Sequence, residues 1–241
     1  MFFIEWEDVD FHIIYTYTDE KFKKGYDLLK KVHPEFNYIL EKKSGFMEQV
    51  VDCVKKSEEY IVFFVDDNVF KEEFSLCDKQ VKIFEKNTNI LCCSLRLAPQ
   101  ITYSYVRNIN VSPPKFKKDL IWDWQEVKHV SLWGYPMSVD GHIFRKREFL
   151  EVLEKTEFTN PNTLEKELSR NPIDKKYMIC FQKPIIVNIP WNKVQDENEN
   201  RSEEISPSVI NEGFLKGKRI SIKEIIERKN KSTHESMEIS F

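Results

Sequence analysis

The chain has 241 residues, 41% of them hydrophobic and 18 of them Phe, enough apolar material for a sizeable core in one large domain. With 37 basic and 40 acidic side chains the formal charge is −3, so no global basic field draws nucleic acid to the surface, and no nucleic-acid partner is expected. No apolar run reaches the ~20 residues of a membrane span, the start MFFIEWEDVD is acidic where a signal peptide is basic, and the five Cys lack metal-ligand spacing, so a cytoplasmic protein with reduced thiols and no transmembrane segment is the expectation.

In chain order, Phe11 to Tyr17 is β-branched and aromatic, and Asp19 to Lys31 shows helical spacing, giving a first β-α unit. Phe36 to Leu40 predicts a strand, and Phe46 to Val54 places Phe46, Val50, Val51 and Val54 on one helical face. Next comes YIVFFVDDNVF, Tyr60 to Phe70, in which five apolar residues run into Asp66 and Asp67. Phe70 to Lys86 reads as helix, and Ile90 to Leu97, with Cys92-Cys93 inside it, reads as a buried strand. Strands alternating with helices predict an α/β fold with right-handed crossovers and a mainly parallel sheet. After Pro99 the pattern breaks into short extended pieces carrying Tyr103, Tyr105, Trp122, Trp124, Trp133 and Tyr135, most of them expected in the core. Glu148 to Lys155 and Thr163 to Arg170 predict two short helices, and Ile185 to Ile189 a strand. Residues 195–206 lack the apolar content for a core and read as a mobile loop, and the residues from Lys229 as a frayed tail.

The acidic strand end is the most informative local feature. In open α/β sheets ligands bind outside the carboxyl ends of strands, and two hard oxygen ligands there suit Mg2+ or Mn2+ bound to a diphosphate. Taken alone, Asp66-Asp67-Asn68 favours a turn or helix start, and only the segments further along the chain shift the balance. Asn162 with Glu165 three residues on has the spacing of a capping box, and Asp140-Gly141 that of a hairpin turn. His142 stands without a second metal-ligand His. The clusters Arg145-Lys146-Arg147 and Lys115 to Lys118 read as solvated faces, with an anionic acceptor or membrane surface as the alternative.

Seven segments together resemble one family. IIYTYTDEKFKKGYDLL, YIVFFVDDNVF, SLRLAPQITYSY, LWGYPMSVDGHIFRKREFLEVL, FTNPNTLEKEL, VNIPWNKVQ and NEGFLKGKRISI span most of Phe11 to Ile222. In that order they are similar to nucleotide-sugar glycosyltransferases of the GT-A type, in particular small bacterial and viral members. The resemblance implies a GT-A-like single domain over residues 1–228, built on a mixed, mainly parallel central sheet flanked by helices, with residues 11–98 as the nucleotide-sugar half and 99–228 as the acceptor half. It also implies a nucleotide-diphosphate sugar donor, UDP-sugar favoured, a glycan or lipid-linked acceptor, and a Mn2+ or Mg2+ ion held by Asp67 with Asp66 on the ribose or the metal.

Carried over residue by residue, Arg96 and Gln100 become donor contacts, Gly141 lies under the donor sugar, and Trp133 and Tyr135 wall its pocket. Glu165 becomes the general base of an inverting transfer, with Asp140 its substitute. Trp191, Asn192 and Gln195 become lid contacts leading into the mobile loop.

The chain departs from the family in starting at what is normally the second strand, so the opening β-α unit is expected to be missing. That leaves a shortened chain, base recognition supplied differently, or a degenerate, non-catalytic binding protein as the competing reading. A nucleotidyltransferase is the third, and the chain's six Gly form no phosphate-binding loop to support it.

Overall fold

The computed structural model describes residues 9–43, 45–127, 132–191, 205–238 and 240–241. The first half runs β1 (His12–Tyr15), α1 (Glu20–Val32), β2 (Asn37–Leu40), α2 (Phe46–Lys56), β3 (Tyr60–Val62), β4 (Asn68–Phe70), α3 (Lys79–Lys86) and β5 (Ile90–Ser94). The second half runs β6 (Tyr103–Ser104), β7 (Ile109–Asn110), β8 (Ile121–Asp123), β9 (His142–Arg145), α4 (Lys146–Leu153), α5 (Pro161–Arg170), β10 (Tyr177–Cys180), β11 (Ile186–Asn188), α6 (Pro207–Leu215) and α7 (Lys223–Glu227).

The central sheet has five strands in the order β3-β9-β5-β10-β8 and is mixed. β5 and β10 pair in parallel, whereas β3–β9, β5–β9 and β10–β8 are antiparallel, so the mainly parallel sheet expected from the β-α alternation is corrected. The reason is β9, absent from the predicted elements, which enters between β3 and β5 and runs against both. β3 and β5 therefore still point the same way, as the alternation requires, but no longer touch. β1 and β2 form a separate parallel pair, and β4 pairs antiparallel with β11.

Both faces of the sheet are covered. Val50 and Val54 of α2, Phe149 and Leu153 of α4 and Leu164 and Leu168 of α5 pack with Leu91, Phe144 and Met178 on one face. Val81 and Phe84 of α3 pack with Cys93, Ile143 and Ile179 on the other. A strand covered on both faces needs apolar side chains at consecutive positions, which is why Ile90 to Ser94 is buried throughout.

Local chemistry sets the helix ends. Asp19 accepts from the backbone N–H groups of Lys21 and Phe22 at the start of α1, and Lys30 and Lys31 sit in its last turn, against the negative end of the macrodipole. The helix expected over Phe70 to Lys86 is confined to Lys79–Lys86, because Phe70 belongs to β4 and is held against Ile186 of β11. The basic cluster is not simply a solvated face. Arg145 donates to the carbonyls of Phe84, Asn87 and Ile90 just after α3, and Lys146 to those of Lys55 and Ser57 at the end of α2.

Residues 229–238 do not form a free tail. Asn230, Ser232, Thr233 and Met237 are buried, and this strap lies across several elements. Lys71 donates to Arg228 O and Asn230 Oδ1, Tyr103 N to Lys231 O (2.9 Å), and Trp191 Nε1 to Met237 O (2.8 Å). Composition reads these polar residues as tail; the partners that hold them lie from tens to more than a hundred positions earlier in the chain.

Gly141 locks the sheet centre. Its N–H donates to Phe63 O (2.8 Å) and its carbonyl accepts from Leu95 N (2.8 Å), at a φ of +67°. A Cβ there would lie 2.1 Å from Ile186 Cδ1. Gly141→Ala is expected to lower unfolding free energy by about 2–4 kcal/mol, combining left-handed backbone strain with overpacking, as measured by urea denaturation.

Candidate functional site

The site follows from strand direction. β3 and β5 end where β9 begins, because β9 is antiparallel to both, so Asp66 and Asp67 after β3, Leu95 and Arg96 after β5, and Asp140 and Gly141 before β9 meet at one edge of the sheet. Glu165 reaches it from α5 and the strap from the carboxyl end of the chain.

At its centre is a buried ion pair. Arg96 Nη1 lies 2.5 Å from Asp140 Oδ2, and the guanidinium also donates to Ser138 Oγ (2.9 Å) and Thr233 Oγ1 (3.0 Å). Asp140 Oδ1 accepts from Asn68 Nδ2 at 2.8 Å. Burial, the largest single influence, opposes ionisation of Asp140, but Arg96, His234, the Asn68 hydrogen bond and His142 together outweigh it and hold its carboxyl below the usual range. Ser138 passes the chain on, donating from Oγ to Glu165 Oε1 (2.7 Å), which also accepts from Val139 N (3.2 Å). Burial raises the Glu165 pKa in spite of those donors.

Asp67 is in a different state. Its Oδ1 accepts from Asn188 Nδ2 at 3.0 Å, and burial, then the charge of Asp140, push its pKa up to about 6. Asp66 is exposed on the same turn. Burial also keeps His142 and His234 neutral at physiological pH, each with its pKa pushed down to about 4. Four carboxylates, those of Asp66, Asp67, Asp140 and Glu165, thus gather with one guanidinium, Arg96, the one Lys or Arg paired with any of them among the described residues.

The sequence-derived candidates divide accordingly. Asp66, Asp67, Arg96, Asp140, Gly141 and Glu165 come together, and Tyr135 joins them, lining with Arg96, Leu97, Leu132, Ser138 and His142 a cavity of about 20 Å3, room for one water. Trp133 does not join them. It is fully buried, packed edge-on against Trp122 at 5.2 Å, and belongs to the core. Gln100 donates to Asn230 O (2.9 Å), and both terminal nitrogens of Arg96 are held by protein groups, so in this structure both side chains are tied to the protein. Trp191 is buried with its indole N–H on Met237 O, which ties it to the strap in place of a lid. Asn192 and Gln195, with most of the segment 195–206, lie outside the described residues.

The capping account of Glu165 is also corrected. The α5 cap is Asn160, whose side chain accepts from Thr163 N while Thr163 Oγ1 accepts from Asn160 N, leaving Glu165 to face Ser138 and Val139.

Sequence reasoning missed Asn68's contact with Asp140, and Ser138, Asn188, Thr233 and His234 altogether. Asn188 was visible only as a polar residue interrupting the apolar strand Ile185 to Ile189, and the strap residues carried no pattern at all.

No protein-family profile matches the chain, and no solved structure matches it. The chain is 26% identical over 219 residues to a protein of Dictyostelium discoideum named bifunctional glycosyltransferase pgtA, the match covering 78% of this chain and 28% of that protein. The chain therefore spans well under half the length of this relative.

The electrostatics of Asp67 lead to a stability prediction. An acid whose folded pKa is raised from 3.8 to about 6 carries no penalty below pH 3.8 and an increasing one as pH rises through 6. In metal-free protein, Asp67→Asn is therefore expected to be more stable than wild type by on the order of 2 kcal/mol at pH 7 and no more stable at pH 3.5, as read by urea denaturation in EDTA.

Proposed function

We propose that the chain is a metal-dependent glycosyltransferase of the GT-A type, moving a sugar from a nucleotide-diphosphate donor, UDP-sugar favoured, to a glycan or lipid-linked acceptor with inversion. The observation that carries the reading is the gathering of four carboxylates around a single guanidinium at the carboxyl ends of β3 and β5. The name of the Dictyostelium discoideum relative supports glycosyl transfer in general.

The donor set suits a hard divalent ion. Asp67, half-buried beside Asp140 and without a cation of its own, and the exposed Asp66 are the residues that would hold Mn2+ or Mg2+. No group of three or more His, Cys, Asp or Glu able to hold a metal occurs among the described residues, which fits an ion completed by substrate phosphates and water more than one enclosed by protein. When bound, the ion supplies positive charge for the diphosphate that leaves as the glycosidic bond breaks.

Glu165 is the general base. Its Oε1 is fixed by Ser138 and Val139, and its raised pKa makes it the better acceptor for the proton that the attacking hydroxyl gives up. Asp140, held ionised by Arg96, is the poorer base, and its part is to fix the Arg96–Ser138–Glu165 chain and the turn at Gly141. Because Arg96 and Gln100 face the strap, charge stabilisation of the donor falls on the acid-pair side of the site.

The test is nucleotide release from a panel of UDP-, GDP- and CDP-sugars with and without Mn2+. Wild type is expected to turn over one nucleotide family only with metal, Asp67→Asn to lose that turnover while remaining folded, and Glu165→Gln to lower kcat by about 10²–10⁴-fold with donor KM little changed. Metal-dependent turnover unaffected in Asp67→Asn would eliminate the assignment. Nucleotide binding without any transfer would favour the non-catalytic reading.

A further inference from the structure

The acid turn is flanked by two asparagines that the sheet sets face to face. In the β4–β11 pair Asn188 is directly opposite Asn68, and residues opposite each other in an antiparallel ladder share a face. Each amide gives its NH2 to one acid of the site: Asn68 Nδ2 to Asp140 Oδ1 (2.8 Å), Asn188 Nδ2 to Asp67 Oδ1 (3.0 Å). A carboxylate only accepts hydrogen bonds, so these contacts fix which end of each amide carries the oxygen.

There the symmetry ends. Asn68 Oδ1 accepts from Val65 N at 2.9 Å and is satisfied. Asn188 Oδ1 is buried with no hydrogen-bond partner among the described residues, in a residue only 2% exposed. Leaving a buried amide oxygen without a partner is costly, and such an exception needs a reason. The Asn188 backbone cannot shift to relieve it. Its N–H donates to Thr233 O, its carbonyl accepts from Glu235 N, and the next residue, Ile189, donates to Asp67 O (2.9 Å), so the backbone is held on both sides.

We propose that Asn188 is a metal ligand, its Oδ1 joining Asp67 on the divalent ion, an inference that rests on the metal-dependent reading given above. A neutral amide oxygen is the ligand type that hard cations accept beside carboxylates, and it adds a donor without adding to the repulsion between Asp67, Asp66 and Asp140. The amide has a double role: Nδ2 orients the Asp67 carboxylate, and Oδ1 supplies the extra oxygen that the carboxylates alone do not. The strap enters the site through this residue, since Thr233 and Glu235 set the position of the Asn188 backbone.

The test measures metal binding directly, independent of turnover. Mn2+ is titrated into the full chain, with and without UDP, and free Mn2+ is read by electron paramagnetic resonance for wild type, Asp67→Asn, Asn188→Leu and Asn188→Asp, with melting temperatures in EDTA reporting folding. One Mn2+ site is expected in wild type, lost in Asp67→Asn, weakened about 10-fold or more in Asn188→Leu, and retained or tighter in Asn188→Asp, which restores an oxygen. Wild-type Mn2+ affinity in a folded Asn188→Leu, with binding lost in Asp67→Asn, overturns the ligand role and leaves the acid-pair site standing. If Asn188→Leu does not fold, weaker Mn2+ binding by Asn188→Asp than by wild type overturns it. No saturable Mn2+ binding by wild type in either condition removes the metal-dependent reading and this inference together.

Discussion

Arg96 and Asp140 form the interaction on which the site depends. Taking both charges out of water costs several kcal/mol per ion, and their attraction offsets that only when further hydrogen bonds complete each group. Here Ser138 and Thr233 complete the guanidinium, and Asn68 completes the carboxylate. Each of those partners comes from a different element, so the pair draws the β4 turn, the loop before β9, the end of β5 and the strap to one point. Through Ser138 the same pair reaches Glu165. A buried pair of this kind adds little net stability but leaves few alternative arrangements for the groups around it.

That compensated pair also defines the uncompensated residues beside it. Asp140 stays ionised because Arg96, with Asn68 and the neighbouring histidines, outweighs its burial; Asp67, raised first by burial and then by the Asp140 charge, moves the other way. One carboxylate is thereby compensated inside the protein, and its neighbour has no Lys or Arg partner among the described residues. Glu165 lies at the far end of the chain of contacts, buried enough to hold a proton more tightly than a free carboxylate. Acids of one type are separated into different roles by what each touches, the usual basis of division of labour in a site.

The candidate site was legible in part because its acids sit at strand ends, and strand ends are marked by where apolar runs stop. Ile61 to Val65 running into Asp66-Asp67, and Ile90 to Leu97 containing Arg96, pointed to the correct sheet edge. The aromatic half was harder. Trp133 and Tyr135 are two positions apart and look alike as sugar-pocket walls, yet one is fully buried against Trp122 and the other lines the cavity beside Arg96. A side chain's exposure depends on what packs over it, and nothing local records that.

The sequence by itself determined the α/β class, the positions of α1, α2, α4 and α5, the burial of β5 on both faces, and the presence of acids after β3, because periodicity and capping act within a few residues. Tertiary structure alone decided the insertion of β9 between β3 and β5, the burial of the strap, the pairing of Asn188 with Asp67, and the engagement of Arg96 and Gln100 inside the protein. Those contacts join residues from tens to more than a hundred positions apart. β9 is only four residues, too short to show a period, and the strap is polar because its partners are backbone groups and an ion pair. Hydrogen bonds of that kind leave no hydrophobic pattern in the chain, so they exist as information only once the fold has brought the partners together.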